Sequence, residues 1–303
     1  MDTIYTSIGT AKVCNACPRN CGARRADGKL GVCCVGEKIM VNRAAPHFGE
    51  EPCISGERGS GTVFFSGCNL RCVFCQNHEI SRAEVGKAVS EDELCEILLR
   101  LEGEGVHNIN LVTPSHYIRA LARVLGKAKL KVPVVWNSSA YESVEELKRL
   151  EGFVQIYMPD YKFADASLAQ RYCAAPDYPQ TALAAIKEMY RQRGAFMLDD
   201  DGMMQSGVLI RHLIMPGNPE NTLRVIDTIE DNFPPDGIVF SLMSQYTPMP
   251  GLEAYPELCR TVSREEYERC ASYFDFSEIE YGFSQSIESA TDEMIPDFDG
   301  TGV

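Results

Sequence analysis

The stretch FFSGCNLRCVFCQN, residues 64–77, places three cysteines within eight positions. They are Cys68, Cys72 and Cys75, with the spacing C-x3-C-x2-C, and we call them the triad. Thiolates are the ligands of iron–sulfur clusters and of zinc, and a closed structural site needs a fourth ligand. The next cysteine, Cys95, falls within the apolar helical pattern LCEILL and is interpreted as a core residue. The spacing therefore predicts a metal centre with one open coordination position, or a zinc site that borrows a distant ligand.

The composition limits the class of protein and the kind of partner. A chain of 303 residues fits one large domain, or a domain with a small appendage. Its apolar runs are too short to span a bilayer, and its N-terminus does not resemble a signal peptide. A formal charge of −14 argues against a nucleic-acid partner. We therefore expect a cytoplasmic protein without membrane or nucleic-acid partners, whose thirteen cysteines serve metal binding or catalysis.

Six short apolar runs alternate with stretches of helical periodicity from residue 62 onward. Continuous apolar runs of this length are typical of strands that are buried on both faces. Ser90 and Ser143 are candidate N-caps, and Glu93 completes a capping box with Ser90. Six β-then-α units predict parallel strands with right-handed crossovers, in either an open doubly wound sheet or a barrel. The six runs are TVFFSG, NINLVT, PVVWNSS, VQIYMPDY, GVLIRHLIM and GIVFSLMSQY.

Polar residues follow these predicted strands. In both architectures the functional residues gather at the carboxyl ends of the strands, so the polar segments are expected to form the rim of one active site. Besides the triad, the segments are 113–116, 137–139, 160–162, 211–217 and 244–246.

The triad at the end of the first predicted strand, with Phe74 just before Cys75, resembles the radical S-adenosylmethionine (radical SAM) enzymes. The resemblance implies a partial, open (β/α) barrel, which matches the six units. It also implies a 4Fe–4S cluster whose open iron is chelated by S-adenosylmethionine. Reductive cleavage of that cofactor then yields a 5′-deoxyadenosyl radical that abstracts hydrogen from a substrate.

Within this family, residues 60–285 are most similar to the activating enzymes of pyruvate formate-lyase. The similarity rests on GCNLRCVFCQN, WNSS, MPDYK and IMPG. It implies that Phe74 and Gln76 approach the adenine, and that Asp160 and Lys162 reach S-adenosylmethionine. The alternative for Asp160 and Lys162 is a local ion pair on the rim. Thr113 stands where the family has a Gly-Gly-Glu type of turn whose backbone binds the methionine amino group. Thr113 is expected to make this contact through its carbonyl and hydroxyl groups, and Pro114 would stiffen the turn.

The remaining rim residues are interpreted with alternatives. Asn137 and Ser139 are candidate contacts of ribose hydroxyl groups. His116 is a hydrogen-bond donor or proton relay at the rim, or a residue that caps a helix. Of Arg211 and His212, which alternate in direction, only one points inward. Tyr246 is either a substrate or adenine contact, or a packing residue of the rim.

A second set of cysteines lies near the N-terminus. Cys14, Cys17, Cys21 and Cys33, which we call the N-terminal cysteine group, form a complete set of four thiolates. Cys34 is an alternative to Cys33. The group is predicted to hold a second iron–sulfur cluster that passes electrons to the first, or a structural zinc ion. Similar segments occur in relatives of the activating enzymes.

The predicted domains are a cysteine-rich loop module at 1–60, the six-unit barrel at 61–285 and a tail at 286–303. Residues 1–60 lack apolar periodicity and are interpreted as loops that a metal holds together. The tail is expected to end in solvent, with a cover over the barrel mouth as the alternative. Four further cysteines are interpreted as packing residues or free thiols: Cys53, Cys173, Cys259 and Cys270.

The resemblance thus implies an anaerobic radical SAM oxidoreductase similar to the activating enzymes, and an enzyme of that branch would act on a glycyl radical enzyme. The first alternative is a radical SAM enzyme acting on a small molecule or peptide. The second is a non-catalytic scaffold or electron-transfer protein with an iron–sulfur cluster or zinc. The expected partner besides a glycyl radical enzyme is a low-potential electron donor of the flavodoxin or ferredoxin type. No residue is assigned a catalytic role beyond binding the cofactors.

Overall fold

The computed structural model describes residues 5–8, 11–290 and 296–303. In these ranges the strands are β1 (Tyr5–Ile8), β2 (Ala11–Cys14), β3 (Ile39–His47), β4 (Ser60–Phe65), β5 (Lys87–Val89), β6 (Ile109–Val112), β7 (Val134–Ser138), β8 (Ile156–Pro159), β9 (Met197–Leu198), β10 (Met204–Leu213), β11 (Val239–Met243) and β12 (Gly282–Ser284). The α-helices are α1 (Pro52–Ser55), α2 (His78–Ser81), α3 (Glu91–Gly103), α4 (Ile118–Ala128), α5 (Val144–Leu147), α6 (Ala166–Cys173), α7 (Tyr178–Arg193), α8 (Pro219–Glu230) and α9 (Arg264–Asp275).

A parallel sheet forms the centre of the molecule. The six strands predicted from the sequence lie side by side in chain order, β4-β6-β7-β8-β10-β11, and β12 follows as a short seventh strand. The sheet runs on from β4 through β3 to β5, so β5 and β12 stand at opposite edges. The predicted fold class is confirmed: an open (β/α) partial barrel of the radical SAM type, with a cysteine-rich N-terminal segment.

The two faces of the strands have different partners, as the alternation of side chains requires. Val134 and Trp136 of β7 belong to the large apolar core that includes the helices, whereas Val135 belongs to a separate cluster. That second cluster also contains Cys53 and Ile54 of α1. Helix α1 therefore packs on the inner face of the sheet and closes one part of the barrel interior.

The prediction that residues 1–60 form loops is wrong for β1, β2, β3 and α1, of which β3 is the longest. This strand pairs antiparallel with β4, from Val41 opposite Phe65 to His47 opposite Ser60, and also with β5. Asn42, Arg43 and Pro46 interrupt its apolar pattern, which is why the strand was not recognised. The cysteine-rich segment is thereby joined to the barrel sheet, while the division into domains stays a prediction.

The end of the chain does not extend freely into solvent, so that expectation is wrong. The Ala44 amide of β3 donates a hydrogen bond to the Thr301 carbonyl, and the Gly300 amide donates to the Asn42 carbonyl. The Phe298 ring packs edge-on against Phe64, with the ring centroids 5.5 Å apart. Residues 296–303 thus lie beside β3 and pair with its Asn42 and Ala44.

Candidate active site

The triad lies in the loop after β4. Cys68 and Cys72 are buried, and Cys75 is half-buried. Gly67 has a φ of 79°, and a Cβ atom there would lie 2.4 Å from the Cys33 carbonyl oxygen. Only glycine permits this turn and this close approach. The three sulfur-bearing residues line a cavity of about 670 Å³ inside the barrel.

The triad thiols are in surroundings that disfavour their ionised forms. Burial raises the pKa of Cys68 to about 12, and repulsion from the other two thiols adds to the shift. Burial also raises the pKa of Cys75. A bound iron cluster supplies the positive charge that stabilises thiolates, so three thiols facing one cavity fit a cluster with one open iron. Among the described residues, no three His, Cys, Asp or Glu side chains are arranged to bind a single metal ion.

Charged side chains line the same cavity on the neighbouring strands. The Asp160 carboxylate lies 2.7 Å from Lys162 Nζ and 2.8 Å from Arg211 Nε. Burial opposes ionisation of Asp160, but Arg211 and Lys162 hold its pKa below the usual value. Burial likewise disfavours the ammonium group, but Asp160 keeps the pKa of Lys162 raised. The three groups therefore stay ionised although their side chains are only 13–18% exposed.

Two further carboxylates, which the sequence reasoning missed, reach the cavity from the segment before α1. Glu50 accepts hydrogen bonds from Arg211 Nη1 at 2.8 Å and from Asn137 Nδ2 at 3.2 Å. Glu51 is buried, and its Oε2 atom has no hydrogen-bond partner among the described residues. Burial raises the pKa of Glu51. The segment was interpreted as loops, so nothing in the sequence indicated that it enters the barrel.

Family comparison agrees with this geometry. The model of the radical SAM superfamily matches residues 62–251, which include the triad, Asp160, Lys162 and Arg211. The chain belongs to the radical SAM superfamily. Members of the superfamily are enzymes, and membership implies a 4Fe–4S cluster and S-adenosylmethionine.

One curated relative and two solved structures are similar to this radical SAM protein over different fractions of its length. It is 29% identical over 268 residues to the uncharacterized protein MJ0674 of Methanocaldococcus jannaschii, covering 85% of this chain and 73% of the relative. The crystal structure of methylornithine synthase (PylB) has a TM-score of 0.51 at 16% identity, covering 86% of this chain and 71% of that one, and shows the shared fold. Streptococcus suis SuiB bound to S-adenosylmethionine has a TM-score of 0.48 at 14% identity, covering 72% of this chain. The chain spans about half the length of SuiB, at 48%.

The structure brings the sequence-predicted cofactor residues to one cavity. Thr113 has a left-handed φ of 58°, which is unusual for a β-branched residue, and its amide donates to the Asn137 carbonyl. The turn after β6 thus has an unusual backbone at the point where the sequence departs from the activating enzymes. The assigned roles remain predictions. The predicted residues that line the cavity are Phe74, Gln76, Thr113, Asn137, Ser139, Asp160, Lys162, Arg211 and Tyr246.

Two histidines lie away from the cavity. His116 is buried beneath the triad loop, where its Nε2 atom lies 2.7 Å from the Ser66 carbonyl oxygen, so its proposed place at the rim is wrong. Burial lowers its pKa to about 3, so the ring is neutral. His212 is buried between the Tyr161 carbonyl and Thr222 Oγ1, whereas Arg211 points inward. The prediction that only one of Arg211 and His212 faces the site is confirmed.

Cys173 is a further residue near the site that the sequence reasoning left as packing. Its Sγ atom lies 3.3 Å from Cys72 Sγ, and this contact is the largest cause of the raised pKa of Cys72. Cys173 itself is buried and does not line the cavity. It ends helix α6, a short helix that the sequence analysis did not predict, so its position was not foreseeable.

The N-terminal cysteine group comes together next to the triad loop. Burial raises the pKa of Cys17 to about 12, and the nearby Cys33, Cys14 and Cys21 add to the shift. Cys14 and Cys33 are buried, whereas Cys21 is exposed. The Cys34 Sγ atom instead points to the Val32 carbonyl, at 3.7 Å. The geometry therefore favours Cys33 over Cys34 as the fourth member.

None of the described helices is both long enough and apolar enough to cross a lipid bilayer.

Proposed function

We propose that this protein binds a 4Fe–4S cluster on the triad and S-adenosylmethionine in the adjoining cavity, and that it abstracts hydrogen from a substrate. The observation that carries the proposal is that the triad and the paired charges of Asp160, Lys162 and Arg211 share one cavity. When bound and reduced by one electron, these cofactors supply a 5′-deoxyadenosyl radical and methionine.

The residues of the chain would bind and orient the cofactor and exclude water. Lys162 offers a cation for the carboxylate of S-adenosylmethionine, and Asp160 offers an acceptor for its amino group or ribose. Phe74 is buried, and its ring packs against Phe163 and Tyr172 at centroid distances of 6.1 and 6.2 Å. An aromatic wall held in this way provides a dry, rigid surface near the expected adenine position.

Two substrate classes follow from different observations. The resemblance of the motifs to the activating enzymes supports a glycine residue of a partner protein, which would become a glycyl radical. Glu50, Glu51 and Arg211 line the cavity, and Glu51 is buried. These charges support a small polar molecule or a peptide end, because charges shielded from water favour polar ligands. We propose a small polar molecule or a peptide end as the alternative to a glycine residue of a partner protein.

The N-terminal cysteine group is proposed to hold a second metal centre, either an iron–sulfur cluster or zinc. A chain in which seven cysteines bind metal suits a reducing compartment, so a cytoplasmic location is part of the proposal. A low-potential protein of the flavodoxin or ferredoxin type is the proposed electron donor.

The experiment is anaerobic reconstitution with iron and sulfide, followed by dithionite and S-adenosylmethionine, with 5′-deoxyadenosine measured by chromatography. We expect product from the intact protein and from Cys95→Ala, and none from the variant with all three triad cysteines replaced by alanine. A zinc-loaded protein that forms no product would contradict the proposal and support the scaffold alternative.

A further inference from the structure

Arg25 is a buried cation whose partners are unusual. Its side chain is 1% exposed, and no Asp or Glu within 4.0 Å of it is found among the described residues. Its Nε atom donates to the Gly36 carbonyl at 2.6 Å, and its Nη1 atom donates to the His116 carbonyl at 3.0 Å. Its Nη2 atom is buried without a hydrogen-bond partner. A buried guanidinium without a compensating anion is strongly destabilising, so a negative group is expected beside it.

The Arg25 guanidinium lies over the Tyr117 ring, 5.6 Å from its centroid, and beside the N-terminal cysteine group, whose thiols can carry negative charge. Arg25 Nη1 lies 4.0 Å from Cys14 Sγ. Four thiolates around a zinc ion, or around a cubane core of charge about +2, retain a net charge of about −2. Such a centre is an anion of the kind that Arg25 lacks.

This group also extends from the surface to the triad loop. Cys21 is exposed at one side, and on the other side the Cys33 carbonyl accepts a hydrogen bond from the Cys68 amide at 3.1 Å. This backbone hydrogen bond thus joins a cysteine of the N-terminal cysteine group to a cysteine of the triad. The close approach of Gly67 to Cys33 keeps the two loops together. An electron that enters near Cys21 therefore has a short path to the triad.

We propose that the N-terminal cysteine group holds a redox-active iron–sulfur cluster that relays electrons to the triad, and that Arg25 compensates its charge. This inference rests on the proposed second metal centre. In each relay cycle a low-potential flavodoxin or ferredoxin loses one electron and the N-terminal cluster gains it, becoming more negative by one unit. The same electron then passes to the cluster on the triad, and the N-terminal cluster returns to its oxidised charge. Arg25 favours the more negative, reduced form and so raises the reduction potential.

The test uses the variant without triad cysteines, so that only the N-terminal centre contributes a signal. Three variants are built on this protein, each with one further substitution: Arg25→Gln, Arg25→Lys or Arg24→Gln. Arg24 is a matched control, since its exposed side chain pairs with Asp27 at 3.4 Å. Iron is counted, and the reduction potential is measured by electron paramagnetic resonance.

We expect about four iron atoms per chain. Arg25→Gln should have a lower reduction potential than the parent, whereas Arg25→Lys and Arg24→Gln should stay close to it. An unchanged potential in Arg25→Gln would overturn the role of Arg25. If Arg25→Gln holds no iron, the iron content of Arg25→Lys distinguishes charge from packing. Iron retained in Arg25→Lys supports charge compensation. Loss of iron from both variants shows that Arg25 serves packing, and it overturns the proposed charge compensation. Zinc in place of iron overturns the redox assignment.

A second measurement tests the relay in the protein with its triad. Reduced flavodoxin is the electron donor, and 5′-deoxyadenosine formation is compared between the intact protein and a variant with the N-terminal cysteine group replaced by serine. We expect at least a tenfold slower reaction in the variant with flavodoxin, and a smaller loss with dithionite, which is a small reductant. Equal rates with flavodoxin would overturn the relay. Absence of product with both donors in the intact protein would instead contradict the proposed function, while the potentials above would still test Arg25.

Discussion

Asp160 contacts two cations in the wall of the cavity, Lys162 in its own segment after β8 and Arg211 on the neighbouring strand β10. It lies 2.7 Å from Lys162 Nζ and 2.8 Å from Arg211 Nε. The two interpretations of Asp160 and Lys162, a cofactor site and a local ion pair, are therefore compatible. The local ion pair exists, and it also places a cation beside the triad. This arrangement is preorganised for a zwitterionic ligand such as S-adenosylmethionine. If Lys162 binds the carboxylate of the ligand, Asp160 still has Arg211 as a partner.

Replacing Lys162 by methionine is expected to weaken the binding of S-adenosylmethionine by tenfold or more, which corresponds to about 1.4 kcal/mol. The reason is the loss of the cation that faces the cofactor carboxylate. Binding is measured by anaerobic equilibrium dialysis of the reconstituted protein. Lys127→Met is the control, since Lys127 is exposed on α4 and pairs with Asp92. Equal affinity in Lys162→Met and wild type would show that the lysine serves only the ion pair.

Cys173 is expected to be dispensable for the cluster, although its sulfur lies 3.3 Å from Cys72 Sγ. It does not line the cavity, and the three triad cysteines suffice for a cluster with an open iron. After reconstitution, Cys173→Ala should keep the iron content of the wild type and Cys72→Ala should lose about four iron atoms. An equal loss in both variants would instead identify Cys173 as a fourth ligand.

At the level of single residues, the sequence could predict the triad and many polar residues of the cavity lining, because each lies at the end of, or directly after, a recognisable strand. It could not predict Glu50, Glu51 or Cys173. The two carboxylates enter the barrel from a segment without periodicity, and Cys173 belongs to a helix of eight residues. Their proximity to the site depends on tertiary packing, which leaves no local pattern.

At the level of elements, the start of α3 shows how well local signals work. The Glu93 amide donates to Ser90 Oγ at 3.1 Å, and the Ser90 amide donates to Glu93 Oε2 at 2.8 Å, so the predicted capping box is present. Ser143 occupies the N-cap position of α5, but its side chain makes no capping hydrogen bond. The capping box was predictable because it needs only residues within one turn.

These two serines form a matched pair for a stability measurement. Ser90→Ala is expected to lower the free energy of unfolding by about 1 kcal/mol, the usual cost of a lost N-cap. Ser143→Ala should change it by less than about 0.5 kcal/mol, because no capping hydrogen bond is lost. Denaturant unfolding of the metal-free protein provides both values. Equal losses in the two variants would contradict the distinction drawn between the two helix starts.

At the level of the whole molecule, the N-terminal segment is attached to the barrel through Arg19. Its guanidinium donates to the carbonyls of Asn69 and Leu70 in the triad loop, at 2.8 and 3.0 Å. It also donates to the carbonyls of Cys173 and Ala174 after α6, at 2.7 and 2.6 Å. One side chain thus joins three separate parts of the chain. The strand order was predictable from the β-then-α alternation, but this attachment was not, since its partners are backbone atoms far away in the sequence.

Arg19→Met is expected to loosen the cysteine-rich segment from the barrel, because four hydrogen bonds are lost. Limited proteolysis should cleave residues 13–38 faster than in the wild type, while the barrel stays intact. Arg19→Lys should give an intermediate rate, since a lysine keeps the charge but not the planar fork of donors. Identical cleavage in Arg19→Met and wild type would show that other contacts hold the segment.

The central claim is that the triad holds a cluster with an open iron that S-adenosylmethionine occupies. The most direct measurement is the electron paramagnetic resonance spectrum of the reduced, reconstituted protein with and without S-adenosylmethionine. The predicted result is a spectrum that changes on addition of the cofactor in the intact protein and stays unchanged in the variant without triad cysteines. Superimposable spectra of the intact protein, with the iron fully loaded, would contradict the claim.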